Sequence, residues 1–112
     1  MSVHEKLAQA ILYKKPCLIS KSGEAQRKIC PYRLGKSREA VVNVLYYQYD
    51  GYTARSGGLR PDGSSDNWRC NRVSDIDAVD LIDEGWHQPI QKPKNRGPCV
   101  EHEYGEISGY YD

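Results

Sequence analysis

The sequence contains no phenylalanine, and its aromatic side chains are nine tyrosines and two tryptophans. It also has no apolar run near the roughly 18 residues that a membrane-spanning helix needs, so we expect no membrane partner. No apolar stretch near the first residue resembles a signal peptide, which predicts a cytoplasmic protein. With 38% hydrophobic and 28% charged residues in 112 positions, the composition is typical of one small globular domain.

The four cysteines, Cys17, Cys30, Cys70 and Cys99, form no CxxC pair. Small zinc-binding domains generally carry such pairs, so we expect no metal site. In the expected cytoplasmic setting the four thiols are predicted to be reduced and partly buried. No cofactor is predicted either, because the sequence has neither GxxxxGK[ST] nor a GxGxxG motif after a strand.

The net charge of +1 excludes a strongly basic nucleic-acid coat protein, but it conceals an asymmetry along the chain. Residues 1–56 hold 10 Lys and Arg against 4 Asp and Glu, whereas residues 57–112 hold 6 against 11. A basic first half permits a local anion-binding surface despite the nearly neutral total.

The sequence predicts one helix followed by about five short strands. Residues 4–15 place apolar side chains on one helical stripe, and Pro16 ends it. Ser2 and Glu5 have the spacing of a capping box. The predicted strands are runs that alternate in polarity or are rich in β-branched and aromatic residues: 17–19, 26–30 (closed by Pro31), 41–49, 68–73 and 76–82.

This layout is α+β and mainly β, and five short strands favour a small closed β-barrel after the helix. The strand at 41–49 is apolar on both faces, which indicates a central position. Residues 50–67 are rich in glycine and serine and are predicted to form a long loop. We therefore divide the single domain into an N-terminal helix, 1–16, the barrel, 17–84, and an irregular, acidic, tyrosine-bearing extension, 85–112.

Three motifs in order give the chain a resemblance to a known family. They are Arg27-x3-Pro31-Tyr32-Arg33-Leu34-Gly35, Leu45-Tyr46-Tyr47-Gln48-x2-Gly51 and Trp68-Arg69-x3-Val73-x2-Ile76. With the preceding helix they extend over residues 4–83. On these motifs the chain resembles the WYL domain group, in particular small stand-alone WYL-like proteins of bacteria and their phages. The resemblance implies a Src-homology-3-like barrel in a regulator that senses or binds nucleic acids or nucleotide-like ligands and controls transcription factors or defence effectors.

Arginine and tyrosine side chains are the candidate ligand-binding residues. A guanidinium group grips phosphate through two hydrogen bonds, and aromatic rings stack on bases. The predicted site consists of Arg27, Arg33, Tyr47, Arg55 and Arg69. Arg55 would reach the site from the long loop. Arg69 and Arg72 differ in strand parity, so at most one of them joins a given site. With phenylalanine absent, a core role also stays open for Tyr47.

These features predict binding without turnover, through phosphate neutralisation and stacking. No enzyme activity and no catalytic residues are expected, because His4, His87 and His102 are far apart in the sequence and no nucleophile stands beside a base. The alternative is a protein–protein interaction module in which the barrel edge and the acidic tail bind a transcription or defence protein. A second copy could also pair at an exposed edge strand and give a homodimer.

Overall fold

The structure is a computed structural model that describes residues 1–53, 58–89, 91, 99–100 and 102–103. This part of the chain contains one helix and six strands, in the order α1 (Val3–Tyr13), β1 (Cys17–Lys21), β2 (Arg27–Lys36), β3 (Val42–Gly51), β4 (Trp68–Arg72), β5 (Ile76–Leu81) and β6 (His102–Glu103). Short 3-10 turns, Ser65–Asn67 and Val73–Asp75, precede β4 and β5. Over the same residues, no helix is both long and apolar enough to cross a membrane.

Helix α1 has the predicted capping box at its start. Ser2 Oγ accepts a hydrogen bond from the backbone N–H of Glu5, and Glu5 Oε1 accepts one from the N–H of Ser2 at 3.0 Å. The helix ends slightly before the predicted boundary, because Lys14 adopts a left-handed conformation with a φ of 51°. Pro16 follows and has no amide hydrogen with which to continue the helix.

Five strands form one antiparallel sheet in the order β4-β3-β2-β1-β5, and the two-residue β6 pairs with β2 beside this path. The predicted α+β class is confirmed, but the predicted closed barrel is wrong. Strands β4 and β5 are the two edges of the sheet, and no hydrogen-bonded ladder joins them within the described chain. Among the described strands, β5 pairs with β1 and not with β4, and β4 pairs with β3, so the ladder does not close.

The sheet is nevertheless strongly curled. Strands in a sheet lie about 4.8 Å apart, so the edges of a flat five-stranded sheet would be about 19 Å apart. The chain passes from β4 to β5 through Val73–Asp75 alone, a connection that spans at most about 14 Å. The two edges must therefore approach one another at this turn without hydrogen-bonding along their lengths.

Strand β2 is longer than predicted, because it continues past Pro31 to Lys36. Proline lacks a ladder donor and usually ends a strand or sits at a bulge. Here the pairing of β2 with β3 shifts register between Pro31 and Arg33, so a bulge accommodates it. The hairpin between β2 and β3 closes through Ser37, whose N–H donates to Val41 O at 2.8 Å.

Strand β3 confirms the prediction of a central strand at 41–49. The long loop begins later than the predicted 50–67, because residues 50 and 51 still belong to β3. Its other described parts are irregular apart from the turn before β4, and residues 54–57 lie outside the described residues. Most of the predicted extension at 85–112 also lies outside them. The division at 1–16, 17–84 and 85–112 remains a prediction.

Buried residues cover both faces of the sheet. The helix face, against which α1 packs, has a core made of Leu7, Ala10, Ile11, Cys17, Ile19, Ile29, Leu34, Val44, Tyr46, Ile76 and Val79. The opposite face has a smaller core made of Cys30, Tyr32, Leu45, Tyr47, Trp68 and Val100. Tyrosine therefore supplies the large core rings, as the lack of phenylalanine predicts.

A disulfide bond joins Cys70 to Cys99, so the prediction of four reduced thiols is wrong for this pair. Their Cα atoms are 6.2 Å apart, within the usual range for disulfides. Asn43 Nδ2 donates to the backbone oxygen of Cys99 at 2.8 Å and helps to place it. The sequence missed the bond because 29 positions separate the partners, with no local signal. Cys17 and Cys30 are buried free thiols, and burial raises the pKa of each to about 12.

Candidate ligand-binding site

The residues predicted to bind a ligand lie on both faces of the sheet. Residues directly opposite one another in an antiparallel pair share a face, so the register assigns each side chain to a side. Arg27 and Arg69 lie on the helix face, whereas Arg33 and Tyr47 lie on the opposite face. Arg55 lies outside the described residues. The structure thus brings together two pairs rather than one set of five.

On the helix face, Arg27 contacts the phenol of Tyr46, and Arg69 lies directly opposite Tyr46 on β4. Arg27 Nη1 donates to Tyr46 Oη at 3.2 Å, and the Tyr46 hydroxyl donates to Asn71 Oδ1. Burial raises the pKa of Tyr46 above its ordinary value, and the positive charges of Arg27 and Arg69 oppose that rise. Together with Glu24, these four residues form the Arg27–Arg69 cluster.

Arg27 is held firmly within this cluster. It is only 6% exposed. Its Nη2 forms an ion pair with Glu24 at 2.8 Å, and its guanidinium carbon lies 5.6 Å from the centre of the Tyr52 ring. Tyr52 itself is partly exposed. A ligand approaching from solvent would therefore meet Tyr52 before it meets Arg27.

Arg69 is fixed by the turn that precedes β4. Its Nη1 donates to the backbone oxygen of Asp66 and, at 3.0 Å, to that of Trp68. The side chain is partly buried. With two guanidinium groups and one carboxylate, the Arg27–Arg69 cluster carries a net positive charge. That charge is suited to an anion.

On the opposite face, the hydroxyl of Tyr47 makes the polar contacts, whereas its ring belongs to the core. The ring is fully buried and packs edge-on against Trp68 at 5.5 Å between centroids. Its hydroxyl donates to Asp62 Oδ1 at 2.5 Å and accepts from the Gly63 N–H at 2.5 Å. Tyr47 therefore anchors the loop before β4, and its ring has no free face on which a base could stack.

A cleft lies beside Asp62, and the sequence analysis did not find it. One cavity of about 250 Å³ is lined by Asp62, Gly63, His87, Gln88 and Pro89. A second cavity, of about 500 Å³, shares Asp62 and Gly63 and continues along Pro61, Ser64 and Gln91. We call the two together the Asp62 cleft.

Asp62 and His87 are hydrogen-bonded across this cleft. His87 Nδ1 lies 3.1 Å from Asp62 Oδ2. The His87 ring stacks on Tyr49 with 3.9 Å between centroids and 16° between planes. Tyr49 in turn donates to Glu84 at 2.8 Å, and Lys28 reaches the other carboxylate oxygen of Glu84 at 2.7 Å. A chain of contacts from β2 and β3 thus orients the imidazole.

The Asp62 carboxylate is stabilised in its ionised form. The hydrogen bond from Tyr47 is the main cause that holds the pKa of Asp62 below its ordinary value. Burial opposes this shift, and His87 adds to it. The Asp62 side chain is therefore an ionised carboxylate at neutral pH.

The sequence alone gives little indication that Asp62 and His87 lie close together. Asp62 and His87 are 25 positions apart. Asp62 lies in a stretch that reads as a flexible connection, and His87 stands alone beside Trp86. No group of three His, Cys, Asp or Glu that could hold a metal occurs among the residues described.

Comparison of the chain with protein-family models, with curated proteins and with solved structures found no match. The resemblance to WYL domains therefore rests on the three sequence motifs alone.

Proposed function

We propose that the protein is a non-enzymatic regulatory module that binds nucleic acid or a nucleotide-like ligand at the Arg27–Arg69 cluster. The observation that carries this proposal is that Arg27, which donates to Tyr46, and Arg69, which lies opposite Tyr46 on β4, share one face of the sheet beside the partly exposed ring of Tyr52. A phosphate would be neutralised by the arginines, and a base would stack on Tyr52. The resemblance to WYL domains favours the same function.

The curled sheet supports an open version of the Src-homology-3-like fold that the resemblance implies. The strand order β4-β3-β2-β1-β5 and the short turn Val73–Asp75 bring the two edges close without closing the ladder. Small curved sheets of this kind commonly present ligand-binding residues on strands and adjoining loops. The Arg27–Arg69 cluster stands at such a place.

The proposal is tested by comparing Arg69→Ala with Arg72→Ala. Both changes remove one positive charge from β4, but Arg72 points to the opposite face. Labelled single-stranded DNA and RNA are titrated at several salt concentrations, with anisotropy as the readout. Arg69→Ala should weaken binding and reduce the slope of log K against log salt by about 0.7, the value for one phosphate contact on a single strand.

Arg72→Ala should leave affinity and slope close to those of the unchanged protein. The folding of both variants is checked by thermal unfolding, because Arg69 also braces the turn before β4. An Arg69→Ala protein that folds normally and keeps the full salt slope would overturn the proposal. Arg33→Ala, on the opposite face, extends the test to the other predicted pair.

A second candidate function is protein binding, and the open edge of β5 favours it. Strand β5 pairs with β1 on one side, and its other side has no partner strand within the described chain. The exposed residues of β5 include Asp77 and Asp80. Like charges discourage pairing between two copies of this edge, so we expect a partner strand that carries basic side chains.

Charge reversal at this edge tests the second candidate. Asp80→Lys should abolish capture of a basic partner, whereas Glu39→Lys, on the exposed β2–β3 turn, should not. Sedimentation of the purified protein tests separately whether two copies form a homodimer, which the like charges of β5 should discourage. Deletion of residues 88–112 is a poorer test, because it would remove the buried Val100 and break the Cys70–Cys99 bond. Equal capture by both variants would contradict an edge-binding role.

We also propose that the module acts in the cytoplasm. Cell fractionation, with a cytosolic marker enzyme as control, should recover the protein in the cytosolic fraction. Recovery in an oxidising compartment, where the Cys70–Cys99 bond would persist, would contradict this proposal.

A further inference from the structure

Among the residues that the structure describes, the Asp62 cleft is lined by one carboxylate and by no lysine or arginine. Its other lining residues, among those the structure describes, are His87, glycine, proline and the neutral polar residues Ser64, Gln88 and Gln91. Lys28, which belongs to the network behind His87, is already paired with Glu84 at 2.7 Å. Such a cleft repels anions and attracts cations.

Asp62 is held in place and still has capacity to bind. Tyr47 donates to one carboxylate oxygen, and His87 lies within hydrogen-bond distance of the other. The backbone N–H of Gly63 also bonds to this carboxylate. An ionised carboxylate offers about four acceptor positions, so roughly one remains. The Asp62 side chain is 59% exposed, which leaves that position open to solvent. Because Tyr47 is fully buried, a ligand would meet a carboxylate whose orientation is already fixed.

The geometry favours an ammonium group over a guanidinium group. A guanidinium binds a carboxylate best as a two-pronged fork that uses both oxygens along one edge. Both oxygens of Asp62 already have a protein partner. An ammonium group is a compact charge with three rotatable donors, so it can use one remaining lone pair of Asp62 and turn its other donors towards neutral polar groups of the cleft.

The cleft also provides apolar surface for a short alkyl chain. Pro61 and Pro89 form part of its walls. The combined space of about 250 and 500 Å³ is ample for a small organic molecule. We propose that the Asp62 cleft binds the primary ammonium group of a small amine, with Asp62 as the counter-ion. This site lies on the face opposite to the Arg27–Arg69 cluster and does not depend on the function proposed there.

Three matched titrations of the full chain test the proposal. Amide nitrogen–proton NMR spectra are recorded with butylammonium chloride, with tetramethylammonium chloride and with butanol, at constant ionic strength. Butylammonium should cause saturable shifts of the Gly63 and His87 amide signals. Tetramethylammonium has the charge without N–H donors, and butanol has the chain without the charge, so neither should do so. No saturable shift with butylammonium, or equal shifts with tetramethylammonium, would overturn the proposal.

A pair of variants assigns the effect to Asp62. Asp62→Asn keeps the shape and an acceptor oxygen for Tyr47 but removes the charge, and it should bind butylammonium at least tenfold more weakly. Asp80→Asn removes a charge from the exposed edge strand β5 and should bind as the unchanged protein does. Unchanged affinity in a folded Asp62→Asn protein would contradict the assignment. If that variant does not fold, the three titrations of the unchanged protein decide the question alone.

A final arm identifies the source of the amine. Nα-acetyl-lysine N-methylamide presents the same ammonium group on a peptide backbone. It should bind no more tightly than butylammonium if the cleft takes small amines. Markedly tighter binding of the lysine derivative would overturn the small-molecule assignment in favour of a lysine side chain of a peptide.

Discussion

Two adjacent tyrosines show how single residues join the core to the polar surroundings. Tyr46 and Tyr47 follow one another on β3 and therefore point to opposite faces of the sheet. Both rings are fully buried, and both hydroxyls are hydrogen-bonded. A buried tyrosine needs such a partner, because an unpaired hydroxyl in the core costs free energy. The groups bonded to the two hydroxyls differ greatly in exposure. Arg27, which donates to Tyr46, is buried, whereas Asp62, which accepts from Tyr47, is exposed.

Removal of the hydroxyl should cost more at Tyr46 than at Tyr47. Tyr46→Phe leaves the buried Arg27 without the acceptor at 3.2 Å, and an unsatisfied buried group costs about 1–3 kcal/mol. Tyr47→Phe affects Asp62, whose side chain is 59% exposed and can bind water instead. Urea unfolding of the two variants gives the free energies of unfolding. Equal losses would show that water replaces the Tyr46 hydroxyl as readily as it replaces that of Tyr47.

The ionisation of Asp62 should respond to the same hydroxyl. Tyr47 is the main cause of the lowered pKa of Asp62, so Tyr47→Phe should raise that pKa towards the ordinary value. A carboxyl whose pKa is lower in the folded state adds stability above its unfolded pKa and loses it as the pH falls through the folded pKa. Carbon-13 NMR of the Asp62 carboxyl gives both titration midpoints. A midpoint that stays the same in Tyr47→Phe would assign the shift to His87 instead.

At the scale of elements, the end of β3 depends on the lack of a side chain. Gly51 has a φ of +92°, and a Cβ atom there would lie 2.5 Å from Gln26 O and 2.8 Å from Arg27 Cα. Both contacts are with backbone atoms where β2 begins, at Gln26 and Arg27, and a rotamer change cannot relieve them. This close approach places Arg27 in register with Gly51 and so helps to build the Arg27–Arg69 cluster.

Gly51→Ala should therefore destabilise the protein more than Gly23→Ala. Gly23 also has a positive φ, of +76°, but nothing lies within 4 Å of its missing Cβ atom. Gly23→Ala carries only the backbone cost of about 1–2 kcal/mol for a left-handed residue. Gly51→Ala carries that cost together with the steric clash. Thermal unfolding compares the two, and a similar loss at both positions would show that the β2 backbone moves freely at this point.

The sequence predicted those elements whose signals are local. Helix α1 has its cap, its apolar stripe and Pro16 within one continuous stretch, and β3 has a long run of β-branched and aromatic residues. The course of β2 past Pro31 was missed because a bulge in its pairing with β3 accommodates the proline, and that pairing is a tertiary feature. Local propensity carries no information on such long-range contacts.

At the scale of the whole molecule, the lack of local signals for long-range contacts also explains which parts of the candidate site the sequence could not predict. Residue types and strand parity predicted arginines for an anion and placed Arg69 and Arg72 on opposite faces, which the register confirms. The alternation of side chains between the two faces is interrupted at the bulge between Pro31 and Arg33. The sequence therefore grouped Arg33 with residues of the other face. The Asp62 cleft required a loop, a strand and the chain after β5 to meet, and no spacing in the sequence encodes that meeting.

The Cys70–Cys99 bond joins the edge strand β4 to the chain that covers the opposite face, and its removal should be felt by the whole molecule. It closes a loop of 29 residues, for which the chain-entropy model gives about 3–4 kcal/mol of stabilisation. The paired change Cys70→Ser with Cys99→Ser should lower the free energy of unfolding by about that amount, as measured in urea. Dithiothreitol should destabilise the unchanged protein similarly and leave the double variant unaffected.

Because Cys17 and Cys30 are buried thiols with a raised pKa, they should not react in the folded state. A reductant that leaves the unchanged protein equally stable would show that the covering chain is held by Val100 and its neighbours rather than by the bond.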